Sequence, residues 1–297
     1  MSRTVPSALW QCDAVTLAEL IRTRQVSARE VVDAHLARME AVNPRLNAIV
    51  LPLAASARAA AQEADAAIRR GERLGPLHGV PISIKVNIDQ AGCPTDNGVV
   101  AYRDNIASED SPTVRNFKRA GAIILGRTNT PAYSMRWFTA NDLHGATLNP
   151  WNEAHTPGGS SGGAASSVAS GMVPIGHGND IAGSVRYPAY CCGLVGLRPT
   201  HGRVPAYNPS LGIGRPLSAQ LMAVQGPLTR STRDARVALE VMAQADVNDP
   251  KWVDAPLRGA PSARPIRVAM VEDPAGRGVQ PQIAAAVRQA AAWLEDA

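Results

Sequence analysis

Apolar residues recur every three to four positions along much of this chain, which is the periodicity of helices with one buried face. Several of these stretches begin at a serine or a proline and end at a glycine, as helices commonly do. Ser27 and Ser231 each precede an acidic residue by three positions, the spacing of a capping box. We predict helices over residues 17–21, 27–44, 53–70, 111–121, 164–170, 231–242 and 281–297.

Shorter apolar runs between these helices predict strands. The clearest run extends from Ile82 to Ile88, where apolar and polar side chains alternate, so that Lys85 lies on the face opposite the isoleucines. Further strands are predicted over residues 122–125, 172–175 and 266–270. Helices that alternate with short buried strands indicate the α/β class.

The chain is predicted to form a single domain over residues 1–297, because this length can bury one large core. Its predicted parts are an N-terminal helical region (1–71), a core with the glycine-rich segments (72–245), a linker rich in Pro, Asp and Gly (246–265) and the start of a further part (266–297). The last helix reaches Ala297 with no strand after it, so we expect a truncated C-terminus.

Composition narrows the set of partners. The formal net charge is +5, but basic residues are interspersed with acidic ones and form no stripe that would bind nucleic acid. Residues 1–10 lack an apolar signal core, and no run of about eighteen apolar residues occurs. The four cysteines show no C-x-x-C spacing, so neither a zinc site nor a disulfide framework is predicted. We therefore predict a cytoplasmic protein without nucleic-acid or membrane partners.

Two segments rich in glycine and serine carry the candidate chemistry. They are PGGSSGG at 157–163 and GNDIAGSVR at 178–186, and each surrounds a serine, Ser160 or Ser184, with residues too small to shield it. Glycine also lets backbone N–H groups approach a substrate closely, as stabilisation of an oxyanion requires. A flexible linker is the alternative for either segment alone, but two segments joined by one short helix and strand favour a catalytic site.

Two other glycine-rich motifs are excluded by their context. Gly158-x-Ser160-x-Gly162 matches the nucleophile elbow of α/β-hydrolases, but that elbow follows an apolar strand, and residues 152–157 are polar and end in proline. A phosphate-binding loop would require Gly-Lys-Ser or Gly-Lys-Thr, and neither segment is followed by it.

A serine nucleophile needs a base within hydrogen-bond reach. His177 is the histidine nearest the second segment, but no acidic residue is spaced to complete a triad, so a packed structural imidazole is the simpler interpretation. Lysine offers a better candidate, since three of the 30 Lys and Arg residues are lysines. Lys118 and Lys251 lie in a predicted helix and linker, whereas Lys85 lies within an apolar strand.

Lys85 is a plausible base because a desolvated lysine can lose its proton, whereas an arginine cannot. At the ordinary pKa of the side chain, only about one lysine in 2,500 is uncharged at pH 7. Lowering the pKa enough for catalysis takes roughly 4 kcal/mol, which burial can supply and solvent exposure cannot. The alternation of apolar and polar residues in this strand does not by itself exclude the alternative, a Lys85 side chain that faces solvent.

Five stretches together match a known pattern: GVPISIK at 79–85, GAIILGRTN at 121–129, and the residues 158–163, 180–186 and 192–200. In these stretches, and over nearly its whole length, the chain resembles the amidase signature enzymes. The resemblance implies an α/β/α sandwich in which helices cover a central mixed, largely parallel sheet. It also implies that relatives continue well beyond residue 297.

The same resemblance implies a Ser/cis-Ser/Lys triad, with Ser184 as the nucleophile, Ser160 as the bridging serine in a cis peptide, and Lys85 as the base. The implied reaction hydrolyses a carboxylic amide through a seryl acyl-enzyme, with no metal or organic cofactor. The implied oxyanion donors are the backbone N–H groups of Ile181, Ala182, Gly183 and Ser184.

Three residues depart from the family pattern: Val86 replaces a common Asp, Asn179 a usual Thr, and Ala182 the first Gly of a Gly-Gly-Ser unit. Two other functions stay open, a truncated non-catalytic fragment and the amidotransferase subunit of a transamidation complex. The predicted partner is a small-molecule amide. The acyl group is left open, as is the oligomeric state, for which a homodimer is one option.

Overall fold

The computed structural model describes residue 6 and residues 8–211, 216–260 and 265–296. The chain divides into two compact units, one up to Ala255 and one from Pro256 onward, and each is described by itself. The division falls within the predicted linker, of which residues 261–264 lie outside the described residues. Ala297, the end of the last predicted helix, also lies outside them.

The helices follow the capping signals of the sequence. In the first unit they are α1 (Ala14–Arg22), α2 (Ala28–Leu46), α3 (Ala54–Arg70), α4 (Pro112–Arg119), α5 (Gly162–Ala169), α6 (Arg186–Cys192), α7 (Leu217–Met222) and α8 (Thr232–Met242). The second unit contains α9 (Pro281–Glu295). Ser27 and Glu30 form a reciprocal capping box at the start of α2. Gly71 ends α3 with a φ of 72°, a left-handed conformation that favours glycine.

All seven predicted helices form, while α6 and α7 were not predicted. One predicted boundary is wrong, because α2 continues through Pro44 to Leu46 instead of ending near Asn43-Pro44. A proline in the last turn removes a single intrahelical hydrogen bond, and Asn47 then ends the helix in the left-handed conformation. Among the described residues, no helix combines the length and the apolar character needed to cross a bilayer.

The strands form one large sheet and one small hairpin. They are β1 (Ile49–Pro52), β2 (Pro81–Lys85), β3 (Ile123–Thr128), β4 (Ala140–Asn141), β5 (Gly145–Ala146), β6 (Ile175–Asp180), β7 (Val195–Gly196) and β8 (Val224–Thr229). The large sheet has the order β1-β3-β2-β6-β8-β7, and β4 pairs with β5. Strand β2 is parallel to both β3 and β6, whereas β1 and β8 are antiparallel to their neighbours.

Four strands of this sheet, β2, β3, β6 and β7, therefore run in one direction, and β1 and β8 run in the other. Helices α3, α5 and α8 pack against β3, β6 and β8. The predicted α/β class with a mixed, largely parallel sheet is confirmed.

Three strand predictions need correction. Strand β2 ends at Lys85 rather than at residue 88, and residues 86–88 lie in a turn and the bend after it. The strand predicted at 172–175 lies at 175–180, because all six residues of β6 pair with the unpredicted strand β8, so Asn179 and Asp180 belong to a strand and not to a loop. Residues 266–270 form no strand, and the side chain of Ile266 is 81% exposed. An apolar run alone does not make a strand when no neighbouring backbone pairs with it.

The alternation in β2 does not separate a buried face from a solvated one. All five of its residues are buried, since the strand lies between β3 and β6 with helices packed against it. Ile82 and Ile84 belong to the main hydrophobic core, and Lys85 is buried on the opposite face. The sheet thus removes a lysine side chain from water at the end of a central strand.

Candidate active site

Lys85, the predicted base, is the last residue of β2 and is fully buried. Its Nζ atom donates hydrogen bonds to three oxygens: Ser160 Oγ at 2.7 Å, Ser161 Oγ at 3.1 Å and Asn179 Oδ1 at 2.9 Å. Asn179 is within reach because β6 runs parallel to β2 and extends past the end of β2. The alternative of a solvent-facing lysine is therefore excluded.

The surroundings of Lys85 favour its uncharged form. Burial lowers the pKa of Lys85 from 10.5 to about 7, although the negative charge of Asp180 acts in the opposite direction. At this pKa roughly half of the molecules carry a neutral amine at pH 7, against about one in 2,500 for a solvated lysine. The direction of this shift agrees with the sequence prediction.

Ser160, the predicted bridging serine, follows Gly159 through a cis peptide bond, as the resemblance implies. Thr130 Oγ1 donates to the carbonyl oxygen of Ser160 at 3.0 Å and holds this part of the backbone. Gly159 is packed so closely that a Cβ atom there would lie 2.6 Å from the carbonyl oxygen of Arg136. Glycine at this position therefore lets the segment pack where Ser160 reaches Lys85.

Ser184, the predicted nucleophile, lies between β6 and α6 and is 6% exposed. Its carbonyl oxygen accepts the N–H of Ser161 at 3.2 Å, which joins the two glycine-rich segments through their backbones. The Ser184 hydroxyl makes no hydrogen bond to any residue that the structure describes. Lys85 and Ser160 are thus in direct contact, and Ser184 lies beside Ser161 with its hydroxyl not yet bonded to that of Ser160.

Asp180, the last residue of β6, organises the turn that carries Ser184. Its carboxylate accepts the N–H groups of Gly183 at 2.8 Å and Val185 at 3.1 Å, and it binds the Arg186 guanidinium at 3.0 Å. Burial alone would raise the pKa of Asp180, but the hydrogen bonds from Arg186 and the two N–H groups outweigh it and hold the pKa at about 2. Asp180 therefore remains ionised.

The four backbone N–H groups predicted to bind the oxyanion differ in whether they already donate a hydrogen bond. The N–H of Gly183 is already donated to Asp180, whereas those of Ile181, Ala182 and Ser184 meet no acceptor among the described residues. Gly183 has a φ of 108°, which favours glycine, but Ala182 has no positive φ. Alanine in place of the family's first glycine therefore carries no backbone strain here.

The imidazole of His177 makes no hydrogen bond to either predicted catalytic serine. It lies within β6, fully buried, and its Nε2 is 2.8 Å from Gln225 Oε1. Burial lowers the pKa of His177 to about 3, so the imidazole stays neutral. This is the packed structural histidine that the sequence favours.

Sequence reasoning missed an amide pair beside the lysine. Asn179 Nδ2 donates to Asn87 Oδ1 at 2.9 Å, and Asn87 Nδ2 donates to Asn179 Oδ1 at 3.1 Å and to Ser134 Oγ at 3.0 Å. The sequence marks Asn179 only as a departure from the family pattern and indicates no role for Asn87. The available signal was the position of Asn87, two residues after Lys85.

An aromatic pair lies near both serines. Trp137 directly precedes Phe138, whose backbone nitrogen would be 2.7 Å from a Cβ atom on Gly159. Tyr187 lies three residues after Ser184. The rings of Trp137 and Tyr187 are 6.1 Å apart between centroids, and Trp137 is 65% exposed. Trp137 is exposed and Tyr187 is half-buried, so the pair offers a partly accessible aromatic surface on segments that adjoin those of the two serines.

The sequence profile of the Amidase family matches residues 30–297, and the chain belongs to this family, the amidase signature enzymes. The chain is 54% identical over 287 residues to an indoleacetamide hydrolase of Bradyrhizobium diazoefficiens, covering 97% of this chain and 55% of that protein. It is 36% identical over 293 residues to a subunit of the glutamyl-tRNA(Gln) amidotransferase of Moorella thermoacetica, covering 97% of this chain and 59% of that protein.

Solved structures of the same family resemble the fold. A 6-aminohexanoate cyclic dimer hydrolase matches with a TM-score of 0.85 at 34% identity, covering 99% of this chain and 60% of that one. A fatty acid amide hydrolase matches with a TM-score of 0.85 at 29% identity, covering 99% and 53%. The chain thus spans somewhat more than half the length of each of these four relatives.

Proposed function

We propose that this chain carries the catalytic residues of an amidase that hydrolyses a carboxylic amide and releases a carboxylate with ammonia or an amine. Ser184 is the nucleophile, Ser160 the bridging serine and Lys85 the base. The observation that carries the proposal is the buried Lys85 amine, which lies 2.7 Å from Ser160 Oγ and whose pKa burial lowers to about 7. A neutral amine in contact with a hydroxyl can accept the proton that a serine must lose.

In the first half of the reaction, the neutral amine of Lys85 takes the proton of Ser160, and Ser160 takes that of Ser184 as its oxygen attacks the amide carbonyl. This requires the Ser184 hydroxyl, which makes no hydrogen bond to the described residues, to donate to Ser160 Oγ. The developing oxyanion is stabilised by the unpaired N–H groups of Ile181, Ala182 and Ser184. The relay then returns the proton to the leaving nitrogen, and the C–N bond breaks.

In the second half, water attacks the ester that joins the acyl group to Ser184. Lys85 and Ser160 accept the proton of this water, and the relay returns a proton to Ser184 Oγ when the acyl–oxygen bond breaks. Asp180 takes no part in proton transfer, since its pKa of about 2 leaves no proton on it. Its role in this mechanism is to hold the turn from Gly183 to Val185.

We propose an arylacetamide as the substrate class, with indoleacetamide as the first compound to test. Two observations support this choice: the 54% identity to an indoleacetamide hydrolase, and the pair formed by the exposed Trp137 and the half-buried Tyr187, which lies three residues after Ser184. Aromatic rings stack or pack edge to face with other rings, which suits an aryl substituent on the acyl group.

An amidotransferase subunit is the second candidate, supported by the 36% identity to such a subunit. The higher identity to a hydrolase favours hydrolysis.

We also propose that the protein is cytoplasmic and that its partner is a small-molecule amide, with no nucleic-acid or membrane partner. A homodimer is the assembly that we propose to test, by measuring the mass of the protein in solution.

The decisive experiment measures ammonia released from indoleacetamide and from acetamide by this chain and by its Ser184→Ala variant. We expect release from indoleacetamide that falls by at least about a thousandfold in the variant. A surface variant, Ser56→Ala, should keep full activity. Equal release by Ser184→Ala, or none by the unaltered chain, would contradict the proposal, and the second result would favour the non-catalytic fragment.

A further inference from the structure

The three oxygens around Lys85 Nζ match the three N–H bonds of an ammonium group, but a base must work as a neutral amine. A neutral amine has two N–H bonds and one lone pair, so one of the three neighbours must become a donor to nitrogen. Which neighbour does so decides where the proton comes from. The hydrogen bonds of the other groups answer this question.

Asn179 cannot be that donor in the observed arrangement. Its Oδ1 faces Lys85, while its Nδ2 is occupied by Asn87 Oδ1 at 2.9 Å. The orientation of Asn87 is fixed in turn, because Ser134 donates its hydroxyl hydrogen to Asn97 Oδ1 and therefore accepts from Asn87 Nδ2. Reversing the amide of Asn179 would place donor against donor at the Asn87 contact.

Ser161 does not donate its hydroxyl hydrogen to Lys85 either. Its hydroxyl points to the carbonyl oxygen of Asn179, at the long distance of 3.5 Å. Ser161 Oγ can therefore accept one N–H of Lys85 at 3.1 Å. Ser160 Oγ, at 2.7 Å, is then the neighbour left to donate to the nitrogen.

We propose that Asn179, held by Asn87, is a positioning residue: it takes one N–H of the Lys85 amine and thereby directs the lone pair of that amine at Ser160. The inference rests on the proposed function, in which Ser160 passes a proton to Lys85. It gives a role to one of the three departures from the family pattern, the asparagine that replaces a threonine.

Other charged or titratable groups also surround Lys85 and must be kept constant in any test. Asp180 on β6 acts on the Lys85 amine through its negative charge, and His177 on the same strand is buried within range of the lysine charge. Arg127 on β3 contacts the carbonyl oxygen of Lys85 through Nη2 at 3.4 Å. The variants below change none of these groups.

The first test reads the amine directly and needs no turnover. Because the chain has three lysines, ¹³C labelling of the lysine Cε atoms gives three signals, and a Lys85→Met sample assigns the one of interest. We expect Asn179→Asp to raise the proton affinity of Lys85 about tenfold or more, since it adds a negative charge at 2.9 Å. Asn179→Leu should lower that affinity, since the ammonium loses an acceptor.

The matched control is Asn116→Leu, which removes another buried amide, one that donates to the carbonyl oxygens of Met242 and Gln244 far along the chain. This variant should leave the Lys85 titration unchanged. If Asn179→Leu and Asn179→Asp both titrate as the unaltered chain does, while their near-UV circular dichroism shows a native fold, the positioning role is refuted.

The second test separates the direction of the lone pair from the proton affinity. At alkaline pH, where the Lys85 amine is neutral in every variant, Asn179→Leu should still reduce kcat by about tenfold or more with little change in KM. Asn179→Thr, which restores the family's hydroxyl, should recover part of this loss. An unchanged alkaline kcat in Asn179→Leu would overturn the proposal. If the unaltered chain has no activity, the proposed function fails, and the titration still decides whether Asn179 holds the amine.

Discussion

Lys85 Nζ and Ser160 Oγ lie 2.7 Å apart, and neither side chain is more than 1% exposed. The contact joins two distant parts of the chain, the end of β2 and the segment before α5, which the sheet and the tight packing of Gly159 bring together. The amine is buried away from solvent, and two hydroxyls and the Asn179 amide are its polar neighbours. Burial lowers the pKa of Lys85 because it disfavours the charged ammonium.

Lys85 should make stability depend on pH in a defined direction. Its pKa is about 7 in the folded state, below the ordinary value of 10.5, so between these values the unfolded chain binds more protons than the folded chain. The contribution of Lys85 to the free energy of unfolding therefore rises with pH from about 7 to about 10.5. Lys85→Met should remove this rise, which amounts to roughly 4 kcal/mol.

Urea unfolding of both proteins across this pH range measures the difference. Lys118→Met, which removes a lysine that pairs with Asp110 at the surface, is the matched control and should track the unaltered chain. The account of Lys85 is contradicted if the Lys85→Met variant and the unaltered chain show parallel curves from pH 7 to pH 10.5.

Asp180→Asn should weaken the turn that carries Ser184. The substitution removes the charge that pairs with Arg186 and part of the acceptor capacity used by Gly183 and Val185. We expect the free energy of unfolding to fall by about 1–3 kcal/mol and the rate of reaction at Ser184 to fall by more than tenfold. Denaturant unfolding and a serine-labelling assay measure the two effects, and a variant as stable and as reactive as the unaltered chain would refute this role.

The sequence predicted the helices well because their signals are local. Ser27 with Glu30, and Ser231 with Asp234, cap their helices within four residues, and Gly71 ends α3 by its own conformational freedom. The sheet was less predictable, since β6 extends to Asp180 only because β8, more than forty residues later, pairs with it. A pairing between distant segments leaves no mark in the periodicity of either one.

The residues of the candidate site also differ in how far local sequence signals reveal them. Lys85 could be singled out because a lysine inside an apolar strand is unusual, and Ser160 and Ser184 because small residues surround them. Asn87 has only a weak signal, its position two residues after Lys85, because its contact with Asn179 depends on where two strands end in the folded sheet. Nor could sequence reasoning foresee that the N–H of Gly183 would be taken by Asp180 rather than left for an oxyanion.

Gly159→Ala should destabilise the segment that carries Ser160. The added methyl group would lie 2.6 Å from the carbonyl oxygen of Arg136 and 2.7 Å from the nitrogen of Phe138, and both are backbone atoms that cannot move independently. We expect a loss of about 1–3 kcal/mol in the free energy of unfolding, together with lost activity. Gly259→Ala, where no atom lies within 4 Å of the added Cβ, is the control. Equal melting temperatures for the two variants would show that Gly159 is not so tightly packed.

Trp137→Ala should change selectivity more than the rate of chemistry. If the ring of Trp137 packs against the aryl group of the substrate, its loss should lower kcat/KM for indoleacetamide by about 10-fold to 100-fold and leave that for acetamide nearly unchanged. Trp151→Ala, an exposed tryptophan whose Nε1 binds the carbonyl oxygen of Cys192, is the control and should not change this ratio. The same fall for both substrates would indicate damage to the site rather than lost selectivity.

In the proposed mechanism Lys85 activates Ser184 through Ser160, and covalent labelling of Ser184 by a fluorophosphonate tests this activation without assuming a substrate. We predict one phosphonyl adduct, found on Ser184 by mass spectrometry, that forms faster as the pH rises through about 7, where Lys85 becomes neutral. In Lys85→Arg the labelling should be at least about a hundredfold slower, since arginine keeps its proton. An adduct on another residue, or equally fast labelling of Lys85→Arg, would contradict the account.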